Sequence, residues 1–430
     1  MKKGATRRGR EATAGQEGGA CRRVGVGGVL VRAGEALREL VMATGLAVFE
    51  AMLEEDREAL CGPAGSWQGS QRKAYRYGHE RGCVVLGGRK VHLSRPRVRS
   101  VKGEELALPS WVAMRQEDPL LERAVEQMVV GVSTRKYARS LEELPKGRRS
   151  CSVSRSSVSR RFVVQTRQQI TRRLSESLEG RDFPVLLIDG TVLGDHVMLV
   201  AMGIEADGSK RVLGVVEGSS ESEQAGRALL RNLIERGLPV ERMRLFVVDG
   251  GKGVRAAIRK TFAGWALIQR CQIHKMRNVL DHLPDSKHEW VRTTIRKAWG
   301  AGSDEQARKR LVSLAGQLDE VHPGAAASLR EGLDETLTIL RLRISATLTR
   351  SLRSTNPIEN LNSSLKHLAR RVKRWRGGTM ALRWTVTGIL EAEKRFRRIK
   401  GYRDLPALRL ALDRHAPSYL EKLDQEALTA

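Results

Sequence analysis

Two short apolar runs that each end in Asp-Gly constrain the fold of this chain more than any other feature. The runs are Pro184–Ile188, which is followed by Asp189, and Leu245–Val248, which is followed by Asp249. A continuous apolar run of this length is typical of a strand buried on both faces, as in a sheet covered by helices. The region from Pro184 to Cys271 therefore predicts an α/β domain.

The rest of this region alternates between strand-like and helix-like patterns. In chain order, the further predicted elements are strands His196–Ile204 and Arg211–Val216, helix Glu221–Arg236, strand Arg244–Val248, helix Val254–Phe262 and strand Trp265–Arg270. The first two of these strands are joined by Ala206–Ser209, which is rich in turn-forming residues. The predicted order is a strand, a hairpin and then two helix–strand units.

The two aspartates follow the predicted strands at their carboxyl ends, the edge of an α/β sheet where sites are usually built. An Asp-Gly pair is also a common turn, and this alternative stays open for Asp189 and Asp249. A third acid, Glu359, would complete a set of hard oxygen ligands suited to Mg²⁺ or Mn²⁺. Metal ions held by such a set stabilise the attacking and leaving oxygens of a phosphodiester.

Glu359 has two interpretations. With Asn356 as the N-cap and Pro357 as the first helical residue, Glu359 falls at the third position, where a glutamate completes a capping box. The alternative is a functional face. The apolar side of the predicted helix has offsets of 0, 3, 7, 10 and 14 and consists of Ile358, Leu361, Leu365, Leu368 and Val372. Beside Glu359, the opposite side carries the predicted DNA-contacting residues Asn362, Lys366, Arg370 and Lys373.

The charge of the chain favours a polyanionic partner. Lys and Arg number 77 against 49 Asp and Glu, which gives a net charge of +28. The segment from Lys366 to Arg403 contains thirteen Lys and Arg residues but only two Glu residues. A charge run of this kind is usually the solvent-exposed side of a helix. Aromatic residues make up only 4% of the chain, which argues against a protein that binds single strands by base stacking. Double-stranded DNA is the predicted partner.

The region that precedes the α/β domain is also expected to contact DNA. The sequence predicts a flexible basic arm over residues 1–30. Over residues 31–115 it predicts helices followed by a basic hairpin at Arg76–Arg99. Within residues 116–180, Gly131–Ile170 predicts a helix-turn-helix, because hydroxyl and arginine side chains at a helix start suit phosphate and groove contacts. Its candidate contacts are Arg155, Arg160 and Arg161. Two surface helices of an ordinary bundle are the open alternative.

After Cys271 the pattern becomes helical. Residues 275–349 have polar and apolar residues at helical spacing and predict an all-helical block. Residues 350–403 predict the helix that carries Glu359 and further basic helices, and residues 404–430 predict a C-terminal tail.

Several cofactors and locations are not expected. The five cysteines contain no C-x-x-C pair, which argues against a disulfide framework and a zinc ribbon. No apolar run reaches the roughly 18 residues of a membrane span, and the basic start lacks the apolar stretch of a secretory signal. No G-x-x-x-x-G-K-[ST] motif is present, so no nucleotide cofactor is expected. The sequence predicts a cytoplasmic protein with no membrane partner.

Three ordered motifs also resemble a known family. They are Asp249–Ile258, Gln269–Leu280 and Ser354–Leu365, and together they are similar to the Mutator-type transposases of bacterial insertion sequences. The resemblance extends over roughly Tyr75 to Arg403. This chain has Thr191 where the family often has an aromatic residue after Asp-Gly.

The resemblance implies an RNase H-like catalytic domain with a DDE triad. Carried over by position, the triad and its metal ligands are Asp189, Asp249 and Glu359, with Mg²⁺ or Mn²⁺ as the cofactor. The catalytic core would comprise residues 181–274 and 350–403, interrupted by an all-helical insertion over 275–349. Cys271 and His274 match the family's C-x-x-H element. Two soft ligands alone make a zinc site less expected than an orienting or DNA-contacting role.

The function that the resemblance implies is DNA transposition. Such an enzyme binds the terminal inverted repeats of its insertion sequence, cleaves the strand at the element end and joins the freed 3′-hydroxyl to target DNA. It would act as a homo-oligomer, such as a dimer, on DNA, and would be associated with the bacterial nucleoid. Two alternatives stay open: an RNase H-like nuclease or resolvase that cleaves without joining, and a catalytically silent DNA-binding regulator.

Overall fold

A computed structural model of the chain forms two compact units. The first comprises residues 1–119 and 141–152, and the second comprises residues 120–140 and 153–430. The described residues are 26–65, 73–86, 88–116, 120–141, 150–151, 154–218 and 222–417. Most of the predicted basic arm and the end of the predicted tail therefore lie outside the described residues. Within the described part of the chain, no helix combines the length and apolar character that a membrane crossing requires.

The first unit packs a long helix on a small antiparallel sheet. Its elements are α1 (Val26–Cys61), β1 (Ala74–Leu86), β2 (Arg89–Ser100), β3 (Glu105–Leu106), α2 (Pro109–Gln116) and β4 (Ser150–Cys151). Strands β1 and β2 pair from Leu86 opposite Arg89, as the predicted hairpin requires. The core is formed by apolar side chains such as Leu53, Val91 and Trp111.

The arginines of the hairpin are largely engaged within this unit. Arg95 lies 2.8 Å from Glu80 and 2.7 Å from Glu105, and Arg97 lies 2.5 Å from Glu105. The basic face that the sequence predicts for β2 is therefore partly neutralised by its own carboxylates.

The second unit is built around a five-stranded mixed sheet. After α3 (Leu120–Val129) and α4 (Arg155–Leu174), its α/β elements are β5 (Val185–Leu193), β6 (His196–Ile204), β7 (Lys210–Gly218), α5 (Glu223–Glu235), β8 (Arg244–Val248), α6 (Lys252–Phe262) and β9 (Ala266–Arg270). The strand order is β7-β6-β5-β8-β9. Strands β5, β6 and β7 are antiparallel neighbours, whereas β5, β8 and β9 run parallel. The predicted α/β class and element order are confirmed.

The predicted helix-turn-helix over Gly131–Ile170 is not formed by the described residues. Helix α3 ends at Val129, before the predicted motif begins, and α4 starts at Arg155, so no short turn joins two helices here. Helix α4 instead packs within the second unit, against α14. Phe162 packs against Trp384, with ring centroids 5.0 Å apart and ring planes tilted by 40°. This unit therefore extends across residue 180, the boundary that the sequence predicts before the α/β domain.

Helices cover both faces of the sheet. A helical block follows β9 and consists of α7 (Gln272–Leu280), α8 (Asp285–Trp299), α9 (Asp304–Asp319), α10 (Pro323–Arg330), α11 (Thr338–Arg341) and α12 (Ala346–Leu352). As far as the structure describes the chain, the block is followed by α13 (Asn356–Ala369), α14 (Gly378–Glu393) and α15 (Leu405–Asp413). Alternation along β5 sends Leu186 and Ile188 into the core with α5 and α6, and Val185 and Leu187 into the core with α13 and α14. The helical block has a separate core centred on α8, α9 and α10.

Helix α13 is shorter than the sequence predicts. Ile358, Leu361 and Leu365 are buried against the sheet as expected, but the helix ends at Ala369. Arg370 is its C-cap, and Lys373 lies beyond it, so helical spacing does not place Lys373 on the face of Glu359.

Leu361→Ala should destabilise the second unit. Leu361 is 1% exposed within the core between α13 and the sheet, so truncation removes apolar contacts and leaves a cavity. A buried Leu→Ala change typically costs about 2–5 kcal/mol. Chemical denaturation should show this loss, whereas Leu410→Ala on the exposed side of α15, where Leu410 is 64% exposed, should cost far less. Equal losses for both would contradict the described packing.

Candidate functional site

Three neighbouring strands place polar side chains at one edge of the sheet. In the paired register, Ile188 of β5 lies opposite Val248 of β8, and Val248 lies opposite Arg270 of β9. The next residues along these strands are Asp189, Asp249 and Cys271. Because neighbouring strands are about 4.8 Å apart, these three positions form a row along the edge.

The position of Asp189 differs from the prediction in one respect. Strand β5 does not end before it but continues to Leu193, because β6 pairs with it along its whole length. Only the parallel pairing with β8 stops at Ile188. Asp189 therefore lies inside a strand, where it is only 8% exposed and is more rigidly held than in a turn.

Asn362 of α13 contacts Asp189 directly. Its Nδ2 donates to Oδ2 of Asp189 at 2.8 Å and lies 3.3 Å from the carbonyl oxygen of Gly190. Asn362 is 6% exposed. The structure therefore places this predicted DNA-contacting residue against a predicted catalytic carboxylate and away from the surface.

Asp249 begins the loop between β8 and α6. Its Oδ1 accepts a hydrogen bond from the backbone N–H of Gly251 at 2.8 Å, so the aspartate does form a turn. Gly250 has φ of +111°, and a Cβ there would lie 2.1 Å from Nε of Arg270. The glycine of this Asp-Gly pair is therefore required by both backbone conformation and space. Oδ1 is used in the turn while Asp249 stays half-buried at the sheet edge.

Glu359 is not part of a capping box. The N-cap of α13 is Thr355 and not Asn356, so Glu359 is the fourth helical residue, and no side chain caps the helix. The Thr355 hydroxyl donates instead to Oε1 of Glu359 at 2.6 Å. Thr355 is fully buried, whereas the Glu359 side chain is 33% exposed. The capping interpretation is therefore wrong, and the glutamate is held by a buried donor.

Cys271 and His274 join Glu359 in one cluster. Cys271 is the N-cap of α7, and its Sγ accepts from the backbone N–H groups of His274 and Thr355, each at 3.5 Å. Nδ1 of His274 lies 3.4 Å from Oγ1 of Thr355 and 3.8 Å from Oε1 of Glu359. The C-x-x-H element thus touches the segment that carries the third predicted acid.

His274 carries positive charge in this cluster because its pKa is raised. Its hydrogen bond with the Cys271 thiol, and the nearby charges of Cys271, Glu359 and Asp189, outweigh burial and raise the pKa of His274 to about 9. Burial raises the pKa of Cys271, but hydrogen bonds from His274 and Thr355 outweigh it, so the net pKa of the thiol is lowered. His274 is therefore a cation at neutral pH, and it compensates carboxylate charge at this edge.

The predicted acids are brought to the same edge but not into one compact cluster. Among the described residues, the one set of three Cys, His, Asp or Glu whose ligand atoms all lie within 4.8 Å is Cys271, His274 and Glu359. Asp189 lies in β5 and Asp249 directly follows the adjacent strand β8, whereas Glu359 contacts Thr355 and His274. Carboxylate oxygens are suitable ligands for a divalent cation, and the charge of His274 partly compensates those of Asp189 and Glu359.

The predicted DNA-contacting residues fall into two groups. On α4, Arg155 and Arg160 are exposed, whereas Arg161 is half-buried and donates to Oγ of Ser157. At the C-terminal end of α13 and just after it, the exposed basic residues are Lys366, Arg370 and Lys373.

Two features of the site are not evident from the sequence pattern: the contact of Thr355 with Glu359, and the burial of Asn362 against Asp189. Thr355 precedes Glu359 by four residues, a spacing that brings side chains together on a helix. Asn362 follows Glu359 by three residues, which also places it on the same face. The signal that separates these residues from Lys366 is burial, which helical spacing alone does not predict.

Comparison with known proteins identifies relatives along most of the chain. The sequence profile described as "Transposase, Mutator family" matches residues 30–398. The transposase for insertion sequence element ISRM5 of Rhizobium meliloti (strain 1021) is 28% identical over 355 residues, which are 79% of this chain and 83% of that protein. The transposase for element IS256 in transposon Tn4001 of Staphylococcus aureus is 29% identical over 313 residues, 69% of this chain and 74% of that protein.

A third relative has similar coverage. The transposase for insertion sequence element IS406 of Burkholderia multivorans (strain ATCC 17616 / 249) is 28% identical over 352 residues, which are 79% of this chain and 84% of that protein. Since the family profile covers the five-stranded sheet, α7 and the helix that carries Glu359, the match includes every element of the candidate site. The chain belongs to the Mutator family of transposases.

Proposed function

We propose that this transposase binds the terminal inverted repeats of an insertion sequence, cleaves the strand at the element end and joins the freed 3′-hydroxyl to target DNA. Cleavage is attack of water on a phosphodiester, and joining is attack of the 3′-hydroxyl on a second phosphodiester. Both reactions need the same groups, because each brings one oxygen to phosphorus while another leaves. No covalent bond between protein and DNA is required.

The observation that carries this proposal is the row of polar residues at the sheet edge. Asp189 and Asp249 directly follow paired residues of the adjacent parallel strands β5 and β8. Glu359 lies on the face of α13 that also carries Asn362, which contacts Asp189. Carboxylates placed by two strands and one helix have little freedom, which suits a site that must orient reacting oxygens.

We assign the second unit to the RNase H-like class with a DDE triad. Three antiparallel strands followed by two parallel ones, with helices on both faces, support this assignment. The helical block α7–α12 separates β9 from α13 and has its own core, as an insertion before the last catalytic helix would. Residues 181–274 and 350–403 would then form the catalytic core.

The donor set fits Mg²⁺ or Mn²⁺. Asp189, Asp249 and Glu359 offer carboxylate oxygens, the ligands that these cations prefer. When bound, the cations lower the pKa of the attacking group and stabilise the leaving oxygen. The protein contributes orientation: Asn362 fixes Asp189, the turn at Gly251 fixes Asp249, and Thr355 fixes Glu359.

The C-x-x-H element orients the site in this proposal and does not bind zinc. A sulfur, a nitrogen and a carboxylate oxygen are a possible zinc set. However, a structural zinc site has four protein ligands, and this set among the described residues has three. The two backbone N–H bonds that Sγ of Cys271 accepts connect the start of α7 to Thr355, at the N-cap position of α13. His274 then supplies positive charge beside Glu359.

Thr355→Val tests this orientation. The substitution keeps the buried volume and the backbone N–H to Cys271 but removes the hydroxyl that donates to Glu359. Because Glu359 then loses its nearest fixed partner, cleavage should fall about 10-fold, at the low end of the 10–100-fold losses seen when outer partners of metal ligands are removed. Thr347→Val, at an exposed position of α12, is the matched control and should keep normal rates. Unchanged cleavage by Thr355→Val would contradict the orienting role.

DNA binding is assigned to exposed basic residues of both groups. Arg155 and Arg160 on α4, and Lys366, Arg370 and Lys373 around the end of α13, would contact phosphates of the element ends and the target. The protein is proposed to act as a homo-oligomer, such as a dimer, because two element ends must be processed together.

The decisive experiment uses the purified full-length protein with labelled element ends, a supercoiled plasmid and Mg²⁺. Nicked ends joined covalently to the plasmid would support the proposal. Cleavage without joining, under conditions that supply excess target, would favour an RNase H-like nuclease or resolvase. Specific end binding with neither reaction in Mg²⁺ or Mn²⁺ would favour a catalytically silent regulator. A control with EDTA establishes that any reaction depends on a divalent cation.

A further inference from the structure

Asn362 is a buried polar residue that packing alone does not explain. It lies on the side of α13 that faces β5 and is 6% exposed, so a phosphate group of DNA has no direct access to it. Its neighbours on the helix, Leu361 and Leu365, fill the apolar core beside it. An apolar residue at this position would continue that core at lower cost, since burying an amide requires partners for both of its ends.

Only one end of the amide has partners. Nδ2 donates to Oδ2 of Asp189 and contacts the carbonyl oxygen of Gly190, whereas Oδ1 is buried and has no hydrogen-bond partner within the described part of the chain. The orientation is fixed by these neighbours. A flipped amide would set its oxygen against a carboxylate and a carbonyl, which are both acceptors. The amide of Asn362 therefore donates to Asp189 through its N–H₂ group, while its oxygen stays buried without a hydrogen-bond partner among the described residues.

The contact also couples two of the proposed metal ligands. Asn362 and Glu359 are three residues apart and lie on one face of α13. Any shift of α13 along the sheet would therefore move Glu359 and the donor to Asp189 together. The spacing between the strand carboxylate and the helix carboxylate is set by one rigid element.

We infer that Asn362 is a positioning residue, whose amide holds the Asp189 carboxylate in the orientation that binds the divalent cation. This inference rests on the proposed function, because it assumes that Asp189 is a metal ligand. Oδ2 of Asp189 is held by Asn362, which restrains the rotation of the carboxylate and so fixes where Oδ1 points. Residues in this relation to a metal ligand typically change metal affinity 10–100-fold when they are removed.

The test compares Asn362→Leu and Asn362→Ala with wild type in the full-length protein. Leu keeps the side-chain volume and removes the donor, whereas Ala removes both, so an effect common to the two variants belongs to the amide. Mn²⁺ is titrated in the absence of DNA, and the rise in melting temperature reports binding to the folded protein. Asp189→Asn gives the baseline for a missing ligand. Asn360→Ala, at an exposed position on the same helix, is the matched control.

Both Asn362 variants should need 10–100-fold more Mn²⁺ than wild type for the same rise in melting temperature. Asn360→Ala should be unchanged. In the cleavage assay, the Mg²⁺ midpoint should move to higher concentration by a similar factor, and excess Mn²⁺ should restore much of the rate. A purely structural role would lower the metal-free melting temperature and leave both metal midpoints unchanged, and this result would overturn the inference.

Failure of the proposed function gives a different pattern. If wild type and Asp189→Asn respond identically to Mn²⁺, Asp189 is not a metal ligand and the proposed function loses its cofactor site. If wild type binds Mn²⁺ more tightly than Asp189→Asn but both Asn362 variants match wild type, the metal site stands and the positioning role is rejected. If either Asn362 variant is unfolded before metal is added, the other one decides, since Leu preserves packing and Ala avoids steric conflict.

Discussion

Asp189→Asn, Asp249→Asn and Glu359→Gln should each abolish end cleavage and joining while leaving binding to element ends nearly unchanged. Each substitution keeps the size of the side chain and removes one carboxylate oxygen as an anionic ligand. The cations that these ligands are proposed to hold would contribute several kcal/mol of transition-state stabilisation, so rates should fall by on the order of 10³-fold or more. Affinity for DNA should not fall, because each change removes negative charge from a chain of net charge +28.

Two exposed acidic residues that are not part of the proposed triad provide the controls. Asp195 lies in the turn between β5 and β6, and Glu305 lies in the first turn of α9, so Asp195→Asn and Glu305→Gln remove the same charges elsewhere. Both controls should cleave normally. The measurement is single-turnover cleavage of labelled ends in Mg²⁺, with a gel-shift titration on the same protein preparations. Retained metal-dependent cleavage by any one of the three variants would remove that residue from the triad.

Glu359→Gln is the most informative of the three. Gln can still accept from Thr355 through its carbonyl oxygen, so the local fold of α13 should be preserved. A loss of cleavage with a normal melting temperature would then report on chemistry alone. If Glu359 only stabilised the N-terminal end of α13, the same variant would cleave at the wild-type rate.

The α/β unit could be predicted from sequence because its signals are local. Each buried strand is a continuous apolar run, and the two Asp-Gly pairs mark where parallel pairing stops, at Ile188 and Val248. The extension of β5 to Leu193 was not predictable in this way. It depends on pairing with β6, which continues beyond the last residue that β8 can reach.

The surroundings of the acids depend on contacts between segments far apart in the chain. Thr355 meets Cys271 across 84 residues, and Asn362 meets Asp189 across 173 residues. Helical spacing puts Asn362 and Lys366 on one side of α13, but only the position of β5 decides that the first is buried and the second is exposed. Likewise, α4 carries the arginine pattern of a DNA-binding helix, yet its apolar residues pack on α14.

The end of α13 also changes how its basic residues are understood. Because the helix stops at Ala369, Lys366 lies on the face of Glu359, Arg370 caps the helix and Lys373 lies in the segment that follows. All three are exposed. We call these three residues the basic strip and propose that it contacts the DNA backbone on either side of the cleaved phosphodiester.

Replacing Lys366, Arg370 and Lys373 together by Ala should weaken the dependence of DNA affinity on salt. Each phosphate contact contributes about 0.9 to the slope of log affinity against log salt, so three contacts contribute up to about 2.7. Across a fourfold rise in salt, wild type should then lose up to about 40-fold more affinity than the variant. The preference for element ends over random DNA should survive, because phosphate contacts carry no sequence information.

A matched triple variant separates local contacts from net charge. Lys287, Lys297 and Lys309 are exposed on α8 and α9, and their replacement by Ala removes the same three charges from the helical block. If the strip at α13 follows the phosphate backbone, only the first variant should flatten the salt dependence, and its cleavage should be slower at moderate salt. Equal flattening by both variants would mean that affinity depends on the overall field of the protein and would remove the strip from the DNA path.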